Sequence, residues 1–69
     1  MIERRISSHR VANMLPQRRG QLSEAVKKYH SQAGYDYQWE YYWAKFTEEQ
    51  LFLLNLEYPE LGEYLEPTQ

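Results

Sequence analysis

No cysteine occurs in this chain, and at 69 residues that absence constrains its folding more than any other feature. A domain of this size buries only about 60% of the surface its unfolded chain exposes, and many such domains rely on disulfides or a bound metal. Disulfides and thiolate-bound zinc are both closed to this sequence. Stability has to come from one apolar core, and the length allows a single domain. The material for that core is 42% hydrophobic residues beside 26% charged ones, an ordinary globular balance. Its character is aromatic, since 16% of the chain is Phe, Trp or Tyr and seven of these residues are Tyr. The longest purely apolar run is Leu51–Leu54, and no apolar stretch follows the charged segment Met1–Ser8. Neither a signal peptide nor a membrane span is therefore expected, and the setting is expected to be cytoplasmic with no membrane partner.

Helical spacing dominates the first half. Ser7 or Ser8 as N-cap, followed by Val11, Met14 and Leu15, predicts a helix of about two turns that Pro16 stops. A second helix is predicted from between Pro16 and Gln21 to about Gln32, because Leu22, Ala25, Val26 and Tyr29 recur at i, i+3, i+4 and i+7. Gly34 ends it, and Lys27, Lys28 and His30 lie near its C-terminus, where the helix dipole favours cations.

Two periodicities fit the aromatic segment from Tyr35 to Phe46. As a helix capped by Asp36 it gathers Trp39, Tyr42, Trp43 and Phe46 on one face; as a strand it alternates Tyr35, Tyr37, Trp39, Tyr41 and Trp43 against the residues between them. A lone strand leaves its backbone unpaired, and no second segment alternates convincingly enough to pair with it, so helix is the expectation. Thr47-Glu48-Glu49-Gln50 is then a capping box, with Phe46 and Leu51 as its hydrophobic staple, and predicts a helix from Glu48 to about Glu57. Pro59 suits the first position of a further short helix to Leu65.

These elements define an all-α fold, a compact bundle of four or five short helices in one domain over 1–69, with ends fraying at about 1–5 and 66–69. The expected core is Leu22, Val26, Tyr29, Trp39, Trp43, Phe46, Leu51, Leu54 and Leu65.

Catalytic material is sparse. His9, His30 and the single aspartate Asp36 stand in no catalytic or metal-binding spacing, and Gly20 follows Arg18 and Arg19 without a phosphate-binding loop. The protein is therefore expected not to be an enzyme and to need neither cofactor nor metal.

Charge divides the chain more sharply than composition does. Residues 1–34 carry seven cations against Glu3 and Glu24, a net of +5, whereas residues 35–69 carry Lys45 against eight carboxylates, a net of -7. The plainest consequence is that the halves fold against each other and partly neutralise. A nucleic-acid reading would use Arg4, Arg5, Arg10, Gln17, Arg18, Arg19 and Gln21. Val11, Ala12 and Leu15, then Leu22 and Ala25, outline a helix-turn-helix over residues 7–30, with Pro16 where glycine is usual and Gln17 where an apolar residue packs. Against it, the cations do not form one stripe and the acidic half repels phosphate.

Protein binding is the favoured reading. The helix after Thr47 is apolar nearly all round, with Leu51, Leu54 and Tyr58 on one face and Phe52, Leu53 and Leu56 on the others. The expected contact surface joins Tyr37, Tyr41, Phe52 and Leu56 to Glu57, Glu60 and Glu63, and the partner is another protein or a second copy in a homodimer. Glu57, Glu60, Glu63 and Glu66 recur every three residues, which would also allow carboxylates to imitate phosphates.

Overall fold

The computed structural model describes residues 1–67. It is an α+β fold, and the all-α expectation is overturned by four strands that form one antiparallel sheet. The chain runs β1 (Ile2–Ser7), α1 (Ser8–Ala12), α2 (Pro16–Tyr29), β2 (Gln32–Asp36), β3 (Tyr41–Phe46), α3 (Glu48–Glu57), one 3-10 turn (Gly62–Tyr64) and β4 (Glu66–Pro67). The strands lie in the order β2-β3-β1-β4. Read as β-α-β-β-α-β, this is the split arrangement of ferredoxin-like folds, in which each helical connection carries the chain past one intervening strand.

The departure from a helical bundle lies in a strand partner at the chain's start. The segment at 35–46 is a hairpin whose second arm pairs with β1, Ile2 opposite Phe46 through Ser7 opposite Tyr41. Residues expected to fray at 1–5 thus supply a central strand from Ile2 onward. At the other end, Glu66 and Pro67 pair with Arg5 and Arg4, while the frayed end expected at 68–69 lies outside the described residues. Asp36 caps a turn and not a helix: its carboxylate accepts the backbone N–H groups of Gln38 at 3.0 Å and Trp39 at 3.1 Å. Glu40 then adopts a left-handed backbone, φ 54°, and the chain reverses.

Register decides which residues face the helices. Ile2, Arg4 and Ile6 of β1 stand in rows with Phe46, Ala44 and Tyr42 of β3, and the last two continue to Ala33 and Tyr35 of β2. On this side Ile6, Ala44 and Phe46 are buried with Met14, Leu22, Ala25, Leu54, Leu61 and Leu65. Val26, Tyr29 and Leu51 pack partly buried against this cluster. Trp39 and Trp43 leave the expected core because each belongs to the hairpin: Trp39 is 69% exposed in its turn, and Trp43 occupies the opposite face of β3, away from the helices.

Both long helices form nearly where spacing places them. Pro16 opens α2 and α2 ends at Tyr29. The Thr47 hydroxyl accepts from Gln50 N–H at 3.1 Å and the Gln50 side chain accepts from Thr47 N–H at 2.9 Å, which completes the capping box of α3. The other two are shorter than expected. α1 is a single turn of five residues, and the helix expected over Pro59–Leu65 is reduced to the 3-10 turn.

Candidate docking groove

Two stripes of α2 face different neighbours. Arg18, Ala25 and Lys28 look toward α3 and the C-terminal segment: Lys28 Nζ donates to both Glu57 oxygens at 2.7 and 3.0 Å, and Arg18 Nη1 lies 3.0 Å from Glu60. The hydrogen bond to Glu57 raises the Lys28 pKa, and the same bond lowers that of Glu57. Burial, reinforced by the Glu57 carboxylate, pushes the Tyr58 phenol up.

The second stripe is Arg19, Leu22, Ser23, Val26, Lys27 and His30, at i, i+3, i+4, i+7, i+8 and i+11, and it lines a groove of about 560 Å³. The opposite wall is the hairpin, chiefly its helix-facing Ala33, Tyr35 and Tyr42, with Gly34 and Trp43 also bordering the space and Ile6 and Val11 completing the lining. This space exists because α2 does not cover the outer strand. Tyr42 stays 43% exposed although it shares a face with fully buried Phe46, and the Tyr35 and Tyr42 rings meet edge to face at 4.7 Å.

The groove is apolar along its walls and cationic at its rim. Arg19 and Lys27 form no ion pair among the described residues. Two turns of helix separate them, about 12 Å along the axis. The His30 ring donates from Nδ1 to the Val26 carbonyl at 2.6 Å, which fixes the imidazole and leaves Nε2 without a partner in that bond.

The outer face of the sheet offers less. Arg5 sits 4.5 Å over the Tyr41 ring and Lys45 lies 5.8 Å from that of Trp43, while Trp43 rests on Gly34. Glu3, Asp36 and Glu66 share this face by register, so three carboxylates outnumber two cations.

The protein-binding residues expected from sequence divide between two places. Tyr37, 86% exposed, stands in the hairpin turn, and Tyr41 is on the outer sheet face beneath Arg5. Phe52 and Leu56 lie on the outer side of α3, where they are 64% and 67% exposed. Glu57 and Glu60 are neutralised by α2, and Glu63 gives its carbonyl to Arg10.

The nucleic-acid residues scatter as well. Arg10 pairs with Glu66 at 3.2 Å, Arg18 with Glu60 and Arg5 with Glu3, while Arg4 bonds the Glu3 carbonyl. Gln17 and Gln21 are exposed on α2, and Arg19 belongs to the groove. Sequence reasoning missed the groove itself, with Lys27, His30, Ala33, Tyr35 and Tyr42. The i, i+3, i+4 run from Arg19 to His30 was its available signal.

No protein-family model matches the chain, and no curated protein or solved structure is found to be similar to it. Among the described residues no helix is long and apolar enough to cross a membrane.

Proposed function

We propose that this protein is a non-enzymatic docking module whose groove receives an acidic amphipathic helix of a protein partner. The observation that carries the reading is the pairing of apolar walls with two cations on one rim, Arg19 and Lys27, that form no ion pair among the described residues. An apolar helix face laid in a groove is a recurring mode of recognition, and its anchors repeat at i and i+3 or i+4. The groove volume of about 560 Å³ lies within the usual range of binding clefts. Carboxylates one turn outside those anchors would meet the rim and set orientation and on-rate. Preference for protein over nucleic acid rests on the cations of the basic half, since Arg5, Arg10, Arg18 and Lys28 are engaged by carboxylates of the chain itself.

Selection from a displayed library of helical peptides on the immobilised protein tests this. Retained peptides are expected to share an apolar i, i+4 pair flanked by Asp or Glu. Ala33→Trp, which fills the groove from an exposed position on β2, and Lys27→Glu should each weaken them by about tenfold or more. Circular dichroism and melting temperature should stay near those of the parent. Retention of no peptide, or of peptides indifferent to both substitutions, overturns the reading.

A further inference from the structure

We infer that one occupant of the groove is the outer face of α3 from a second copy of this chain, an inference that rests on the docking reading above. Phe52 and Leu56 are one turn apart on α3 and both point to solvent, with Leu53 partly exposed beside them. Glu48 and Glu49 precede Phe52 by one turn on the same face, are exposed, and form no ion pair among the described residues. This is an apolar i, i+4 pair with carboxylates one turn outside it, the pattern that the groove and its rim accept. The capping box holds the first turn of α3, so the two carboxylates are presented from ordered backbone.

The contact has to be intermolecular. Within one molecule α3 packs against the other stripe of α2, fixed by Lys28 on Glu57, and its inward side is spent on buried Leu54 and half-buried Leu51. The outer face therefore points away from α2 and cannot enter its own groove. Charge complements across the pair, two carboxylates on the helix against Arg19 and Lys27 on the rim. Because knob and groove are different surfaces, the contact is heterologous: copies extend head to tail, or close as a pair when both junctions form at once.

Sedimentation equilibrium over a concentration series reaching about 1 mM, a weak limit for specific association, reads this out. The parent is expected to associate with rising concentration, and more weakly as salt screens the rim. Phe52→Asp, at an exposed position, and Lys27→Glu should each remain monomeric with unchanged circular dichroism. An equimolar mixture of the two should associate again as a dimer, because each variant keeps the surface the other has lost. Self-association of Lys27→Glu alone would overturn the inference in favour of contact between two α3 faces, and failure of the mixture to dimerise would also overturn it. A parent that stays monomeric throughout, while displayed acidic peptides still bind, removes the second copy as occupant and leaves the docking reading standing. Loss of both removes the groove from either role.

Discussion

Gly34 has room for a hydrogen atom and nothing larger beneath the indole of Trp43. A Cβ at this position would stand 2.6 Å from Trp43 Cζ2 and 2.8 Å from Cε2, so Gly34→Ala is expected to displace the ring and cost about 1–3 kcal/mol, the usual penalty of overpacking. A urea titration followed by tryptophan emission measures both effects. On the helix-facing side of the neighbouring strand, Phe46 is fully buried, and Phe46→Ala should cost about 3–5 kcal/mol in the same titration. Asp36 shows why single residues mislead. The sequence predicts a helix N-cap there, and the carboxylate does accept backbone N–H groups two and three residues onward. Those bonds are common to a helix start and to an Asx turn, and the backbone beyond them decides between the two. Here Glu40 at positive φ returns the chain as β3.

Among the elements, those stabilised by local signals were the legible ones. α3 has the expected bounds because its capping box lies entirely within Thr47–Gln50. Thr47→Ala should remove one half of that box and lower stability by about 1 kcal/mol, measurable as a lower urea midpoint at unchanged slope. α2 begins at Pro16 and ends at Tyr29, three residues before the expected stop at Gln32, because Gln32 already pairs with Lys45 as the start of β2. The strands were not legible because their stability is not local. β3 needs β1, and the alternation of Ile2, Arg4 and Ile6 against Glu3, Arg5 and Ser7 is interrupted by an arginine on the apolar side. The groove was hidden for the same reason: half of it comes from α2 and half from a hairpin that sequence reasoning did not build. Phe52 and Leu56, by contrast, were recognisable as surplus from α3 alone, since Leu51 and Leu54 already occupy its inner side.

Across the whole molecule, three of the four ion pairs found among the described residues join the basic half to the acidic half: Arg10–Glu66, Arg18–Glu60 and Lys28–Glu57. The expected mutual neutralisation is therefore what the fold contains. All are solvent-exposed, so each contributes modestly. Glu57, whose pKa is lowered by Lys28, favours the folded state above the ordinary carboxylate range and loses that contribution as pH falls through its own value. Lys28, raised by Glu57, contributes below the ordinary lysine range and loses its share as pH rises through its own value. Glu57→Gln should accordingly melt lower than the parent near neutral pH, and the gap should close as pH falls below the ordinary carboxylate range. Thermal melts of both proteins across that interval check it. The central position of β1 also sets the tempo of folding. Ile2 pairs with Phe46 and Arg4 with Pro67, so both edges of β1 are satisfied only by strands that lie far along the chain. A helical bundle of this length closes mostly neighbouring contacts and folds in microseconds to milliseconds, whereas sheets built on distant pairings take up to seconds. Because the contacts within α2 and α3 are local, these helices are expected to form ahead of the sheet and to shorten the search of β1 for its distant partners.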